Sequence, residues 1–324
     1  MTRREFLAFL TLVPAMGAHD VDAQISGTIA RIGTLDYGSS SARRLLWAAF
    51  YEKLADLGYA PGKNLAVEAR WAEGQAQRLG PLAAELVAGK VDIIVTAGAA
   101  AALAAQQATT TIPIVAATGD LLSLGLVSNL ARPAGNVTGV STQTDELSLK
   151  RLELLRELVP QAYRLAILTD AANLAYRGED TRAAAAALGL SAEITSVHGP
   201  NELDAAFAAM ERMGAQALIV IPSPMFFGER QRLAELALKS RLPTVMAQRE
   251  YVEAGGVLAY AANLSERFNH AATYVDKILK GAKPADLPIE QPTKFELIIN
   301  LNTAKALGLD VPLHLQQRAD EVIE

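Results

Sequence analysis

Short β-branched runs alternate with alanine- and leucine-rich stretches of helical periodicity along most of the chain. Residues 31–35 read as a first strand. Residues 42–57 follow as a helix, because Leu46, Ala49, Phe50, Leu54 and Leu57 recur at helical spacing before Gly58 stops the run. Residues 65–71 alternate as a strand. The rhythm continues with a helix at 79–88, a strand at 91–95, a helix at 99–108, a strand at 113–116, a helix at 123–130 and a strand at 136–140. Strands separated by helical stretches of this kind call for a parallel sheet covered on both faces, with right-handed crossovers.

The pattern then restarts. A leucine-rich helix at 146–159, carrying Leu147, Leu149, Leu152, Leu154, Leu155 and Leu158, leads into a strand at 164–168. A helix at 176–188, a strand at 192–197, a helix at 202–213, a strand at 217–221, a helix at 227–240 and a strand at 244–246 complete a second unit. The fold class predicted is therefore α/β: two doubly wound parallel-sheet lobes, joined near residues 139–142, with a cleft between them. The alanine runs at 99–105 and 183–187 fall in helices between strands, where small side chains permit close packing on a sheet.

The amino terminus reads differently. Thr2-Arg3-Arg4-Glu5-Phe6-Leu7 precedes a charge-free stretch at 8–18, and Val21-Asp22-Ala23 offers a small-residue cleavage point before Gln24. A charged start, an apolar stretch too short for a span of ~20 residues and an A-x-A-like end predict a signal peptide over 1–23. The arginine pair before Phe6-Leu7 resembles a twin-arginine signal, with the general secretory route left open. The mature protein is then expected in the periplasm. No later segment offers ~18 uninterrupted apolar residues. The chain contains no cysteine, which removes disulfides, thiol nucleophiles, Cys-ligated zinc and a lipid-carrying cysteine together. A net charge of -5 with no basic face excludes nucleic acid as an expected partner.

Catalytic signatures are missing. There is no phosphate-binding G-x-x-x-x-G-K-[ST] loop, no G-x-G-x-x-G after the first strand, no G-x-S-x-G and no H-E-x-x-H. His198, His270 and His314 stand far apart, without carboxylates at ligand spacing, so neither a metal site nor a Ser-His-Asp triad is expected. No cofactor is implied, and binding without chemistry becomes the expected class.

In open α/β sheets, ligands bind beyond the carboxyl ends of the strands, where helix N-termini present free N–H groups. Strand one ends in Asp36, Tyr37, Gly38 and Ser39, and strand three in Thr96, Ala97 and Gly98, small enough for a ligand to reach the backbone. Strand four ends in Thr118-Gly119-Asp120, whose carboxylate suits an ammonium group. The second half supplies Ser141, Thr142, Asp170 with Asn173, Ser223 and Arg249. Helix capping is the alternative at each loop, since Ser, Thr, Asp and Asn are the usual N-caps. Aromatic content is 6%, so Tyr37, Phe226 or Phe227 and Tyr260 are the candidates for stacking on a ring.

Several longer stretches carry a resemblance. Gly58-Tyr59-Ala60-Pro61-Gly62-Lys63-Asn64, Arg70-Trp71-Ala72-Glu73-Gly74, Arg132-Pro133-Ala134-Gly135-Asn136-Val137-Thr138-Gly139, Arg249-Glu250-Tyr251-Val252-Glu253-Ala254-Gly255-Gly256 and Lys277-Ile278-Leu279-Lys280-Gly281-Ala282-Lys283-Pro284 are its most specific parts. The chain resembles the periplasmic substrate-binding proteins of bacterial ABC importers, in the subfamily with tryptophan- and tyrosine-binding members, from about residue 32 onward. The resemblance implies a type I periplasmic-binding fold whose lobes, 24–140 plus 262–290 and 141–261 plus 291–324, close on one small molecule about hinges near 139–141, 260–263 and 290–292. It implies an inner-membrane ABC permease as partner, and the protein is expected to act as a monomer.

Two loops depart from the family. Many relatives have a Ser-Pro-Gly-type loop where this chain has Asp36-Tyr37-Gly38-Ser39, and Trp-Asn-Pro-x-Asn where it has Thr169-Asp170-Ala171-Ala172-Asn173. The added Asp36 and Asp170 favour a ligand with amine or hydroxyl groups. A receptor for a signalling partner would share the cleft, and an exported enzyme would need Asp36, Asp120 and Asp170 to converge as acid and base.

Overall fold

The structure is a computed structural model that describes residues 29–141, 145–173 and 178–324, the side chains of Asp145 and Glu146 excepted. The signal peptide predicted over 1–23 and Thr142 lie outside the described residues. The first half runs β1 (Ala30–Asp36), α1 (Ser40–Asp56), β2 (Leu65–Trp71), α2 (Leu79–Ala88), β3 (Ile93–Ala97), α3 (Ala99–Ala108), β4 (Ile114–Thr118) and β5 (Val137–Ser141). These strands form a parallel sheet of order β2-β1-β3-β4-β5. Every residue of β3, β4 and β5 is buried, as strands covered on both faces must be.

The second half opens with α4 (Asp145–Leu158), β6 (Arg164–Asp170), α5 (Glu179–Ala187), β7 (Ser191–Val197), α6 (Leu203–Arg212) and β8 (Ala217–Val220). It continues with α7 (Pro224–Gly228), α8 (Arg230–Lys239), β9 (Thr244–Met246), α9 (Arg249–Glu253) and β10 (Leu258–Ala261). Strands β7-β6-β8-β9-β10 repeat the order of the first sheet, so the restart seen in the sequence is a repeat of topology. The chain then returns to the first sheet with α10 (Leu264–Leu279). Leu264, Phe268, Ala271, Ala272, Val275 and Ile278 make its buried stripe, which packs on α1, β4 and β5, and Asn263 caps its start by accepting from the Glu266 amide.

The ending belongs to the second sheet. β11 (Glu296–Asn300) adds antiparallel to β10 and, after α11 (Leu301–Ala306) and α12 (Leu313–Gln317), β12 (Glu321–Ile323) adds parallel to β11. The crossings between sheets lie side by side: the Ser141 amide donates to the Glu290 carbonyl at 2.9 Å and the Glu290 amide to the Gly139 carbonyl at 3.1 Å. Gly139 has φ 139°, and a Cβ there would lie 2.2 Å from the Ala116 carbonyl oxygen, so this strand approaches β4 too closely for any other residue.

Two predicted helices differ. Residues 123–130 are turns, because the Asp120 carboxylate accepts the Leu122 and Ser123 amides in an Asx turn and Gly125 takes φ 67°. The helix predicted at 227–240 begins earlier, with Ser223 as N-cap and Pro224 in the first turn, and breaks at Glu229 into α7 and α8.

Candidate functional site

The carboxyl ends of both sheets face one another across a cavity of about 690 Å³, its mouth included. From the first sheet come Gly98 and Ala99 after β3, and Ala117, Thr118 and Gly119 at the end of β4. The second contributes Asn173 after β6, Pro222, Ser223 and Pro224 after β8, and Ala247 and Gln248 after β9. Helices complete the wall with Arg43 of α1, Leu147 and Arg151 of α4, and Leu264 and Arg267 of α10, while Ala262 lies on the crossing after β10.

The lobes touch beside this cavity. The Tyr37 hydroxyl of the first donates to Asp170 Oδ1 of the second at 3.5 Å, in buried surroundings. Helix α7 inserts from the second lobe, so that Met225, Phe226 and Phe227 join a core that also holds Tyr37, Trp47 and Phe268. The Arg43 guanidinium lies 5.4 Å from the Phe227 ring centre and 5.5 Å from that of Phe268. A Cβ on Gly98 would stand 2.8 Å from Pro224 Cγ, which makes glycine a condition of this approach.

Burial sets the electrostatics. Desolvation pushes the Asp170 carboxyl above its ordinary value, opposed by the Ala172 amide, Ser223 and Tyr37, while Asp170 Oδ2 has no hydrogen-bond partner. Tyr37 is pushed up as well, first by burial and then by the charge of Asp170. Gln248 is 8% exposed and its Oε1 likewise has no partner.

Of the residues singled out in the sequence, Gly98, Thr118, Gly119, Asn173 and Ser223 line the cavity. Asn173 Nδ2 also donates to the Pro222 carbonyl at 2.8 Å, and Ser223 Oγ accepts the Phe226 amide at 3.1 Å. Asp36 points elsewhere: its carboxylate accepts Arg43 Nε at 2.9 Å, Trp47 Nε1 at 2.8 Å and the Gly38 amide at 2.7 Å. Ser39 caps α1 by accepting the Ala42 amide, and Ser141 accepts the Leu121 amide while donating to the Gly119 carbonyl. Thr96 and Ala97 are fully buried in the sheet, so Ala97 is packed by core and not open to a ligand.

Asp120 closes its own turn, and Arg249 ties α9 to Glu296 of β11 and Glu321 of β12, off this cavity. The ring candidates are also engaged. Tyr37, Phe226 and Phe227 are buried between the lobes, and Tyr260 stacks on Phe295 at 5.8 Å. Asp36 therefore offers the cavity no free carboxylate, because Arg43 neutralises it, whereas Asp170 lies beside the cavity with Oδ1 on Tyr37 and Oδ2 without a hydrogen-bond partner.

A family model described as ABC transporter substrate binding protein matches residues 35–323. The chain belongs to this family. The substrate-binding protein is 25% identical over 265 residues to a tyrosine-binding protein of Clostridioides difficile strain R20291, across 80% of this chain and 75% of that one. Among solved structures it is similar to an ABC domain from Streptococcus pneumoniae in complex with L-Trp, at 26% identity and TM-score 0.84, over 91% of this chain and 100% of that one. A Vibrio cholerae protein, 24% identical with TM-score 0.86 over the same shares, has the same fold. The two doubly wound sheets and their crossings are the type I periplasmic-binding fold.

The wall of the substrate-binding protein's cavity includes three arginines that the loop-by-loop reading passed over. A signal for them was present. Arg43 shares the buried stripe of α1 with Leu46, Trp47, Phe50 and Leu54, and Arg151 stands four residues from both Leu147 and Leu155 on α4. Arg267 follows Leu264 by three on α10. A charge on an apolar stripe has either a buried partner or a ligand to meet.

Proposed function

We propose that the protein is the extracytoplasmic solute-binding component of an ABC importer, capturing a small molecule between its lobes and delivering it to a membrane permease. The cavity bounded by the strand ends of both sheets carries this reading, because a ligand there touches both lobes at once and favours the closed form by its preference for that state. The lobes that move are 29–140 with 262–290, and 141–261 with 291–324; residues 1–23 direct export. The named ligands of two relatives, tyrosine and L-Trp, support a compound of amino-acid size. Gly98, Asn173, Ser223, Gln248, Arg151 and Arg267 are the side of the cavity that meets it.

The test is thermal stabilisation of the full protein by amino acids, small organic acids and sugars. A ligand bound only by the folded state raises stability by RT ln(1 + [L]/Kd), about 2.7 kcal/mol at a hundredfold excess over Kd. The expected result is a rise with one class, abolished by Asn173→Trp, which fills the cavity. Retention of the liganded protein on membranes containing the cognate permease, and not on membranes lacking it, is the expected second result. A rise that survives Asn173→Trp moves the site elsewhere.

A further inference from the structure

Helix α7 meets a notch that the first lobe builds by itself. Three of its strand-end loops make the notch: residues 37–39 after β1, residues 72–74 after β2, and Gly98 after β3. Hydrogen bonds tie the first two together, the Ala72 amide donating to the Asp36 carbonyl at 2.9 Å, the Gly74 amide to the Tyr37 carbonyl at 2.8 Å and the Gly38 amide to Asp36 Oδ1 at 2.7 Å. Glycine keeps the notch open. A Cβ on Gly38 would lie 3.3 Å from the Pro224 carbonyl oxygen, and one on Gly74 would lie 3.5 Å from Met225 Cγ, as Gly98 does for the Pro224 ring.

The second lobe presents the matching part. Met225, Phe226 and Phe227 of α7 are each at most 4% exposed, and Ser223 caps the helix from its own lobe. Arg230 holds Phe227 from the same side, with Nη1 donating to the Phe227 carbonyl at 2.8 Å and the guanidinium 4.9 Å from the ring centre. Arg43 of the first lobe adds its guanidinium to that ring. At the far end of α7, a Cβ on Gly228 would stand 3.7 Å from the Ala42 Cβ of α1. Met225, Phe227 and Gly228 all lie outside the cavity wall.

We infer that α7 is a latch between the lobes: the free protein exchanges between an open form and a seated one, and a small molecule enters or leaves the cavity only while α7 is unseated. The inference rests on the two-lobe capture reading. Burial of Met225 and Phe227 and the contact of Phe227 with Arg43 favour seating by themselves, since no bound molecule takes part in either. A captured molecule then supplies only the rest of the preference for the closed form. Met225 and Phe227 are thereby positioning residues, which set how long a captured molecule stays without touching it.

The chain has no cysteine, so an introduced pair reports this contact alone. The 3.7 Å between the Ala42 Cβ and a Cβ on Gly228 suits a disulfide, whose Cβ atoms stand about 3.5–4.5 Å apart. Ala42→Cys with Gly228→Cys, in the full protein with no small molecule added, is expected to form that bridge in a glutathione redox buffer, with melting curves checking that the thiol form folds. The bridging equilibrium reads the seated population. Adding Phe227→Leu is expected to lower its constant about threefold or more, the size of a cation–π contact. Small-angle scattering is expected to give the bridged protein a smaller radius of gyration than the reduced one. No bridge, or a constant that Phe227→Leu leaves unchanged, overturns the latch. Equal radii in the two forms would mean that α7 never unseats, which overturns it as a gate. Each of these results leaves capture to the thermal-stabilisation test, so the two readings fail separately.

Discussion

Asp36 and Arg43 form a nearly solvent-free ion pair at the end of β1 and the first turns of α1, with Trp47 completing the carboxylate's partners. Removing one member leaves a buried charge with no counterpart, which costs about 3–5 kcal/mol, whereas replacing both by apolar groups is often neutral. Asp36→Ala is accordingly expected to lower the urea midpoint strongly, and Asp36→Ala with Arg43→Met to recover most of the loss. A midpoint unmoved by the single change would mean the pair is hydrated. Asp170 makes a pH-dependent contact across the lobes. Its carboxyl is raised by burial between the lobes, and opening by the proposed hinge would return it to water and toward 3.8. Protonation therefore favours closure: the contribution is fully present below 3.8 and is lost as pH rises through the raised value. Ligand affinity, measured by calorimetry, is expected to strengthen as pH falls from neutrality toward that range. Asp170→Asn should flatten the profile, and a slope that persists in the variant belongs to another group. Asp36 and Asp170 were both legible as unusual residues at strand ends, but their partners were not, because Tyr37 and Arg43 reach them only through the fold.

At the level of elements, α3 and α7 meet across the cleft. Gly98 opens α3 at φ 93°, and its missing side chain admits Pro224, the first residue of α7. Gly98→Ala adds a Cβ at a positive φ that only glycine adopts readily, at a cost of about 1–3 kcal/mol, and the Cβ strikes Pro224. Ligand affinity is expected to drop about tenfold or more, because the clash with Pro224 acts against closure, while the backbone strain lowers the stability of the fold itself. Binding at parental strength would show that α7 yields easily. Helix boundaries followed local chemistry where the period alone misled. The Asx turn at Asp120 dissolved a helix that the apolar spacing of 123–130 suggested, and Ser223-Pro224 started α7 ahead of the periodic residues. Strand positions were easier to read, since β3, β4 and β5 are buried runs of β-branched and small residues, with Gly98 after β3 and Pro113 and Gly119 bounding β4.

The whole molecule repeats one sheet order twice and joins the copies through crossings bonded to each other at Gly139, Ser141 and Glu290. Such side-by-side connections bend together more easily than they stretch, so the proposed opening about them would be a rotation. Small-angle scattering is expected to give a smaller radius of gyration with saturating ligand than without, and Gly98→Ala to keep the liganded protein nearer the free value. Equal radii in both conditions, with binding verified independently, would remove the hinge from the mechanism. The class α/β, the restart at the second lobe and the loops that bound the cleft were determined by sequence alone, because period, strand composition and turn residues are local properties that hold before the chain folds. The cavity wall was decided by tertiary structure. Arg43, Arg151 and Arg267 stand on three helices far apart in sequence, and only the packing of those helices on two facing sheets turns three misplaced charges on apolar stripes into one surface. The same packing took Asp36 and Arg249 out of the site by giving each a nearer partner, a competition between hydrogen bonds that no linear spacing records, whereas Asp120 was taken out by its own local Asx turn.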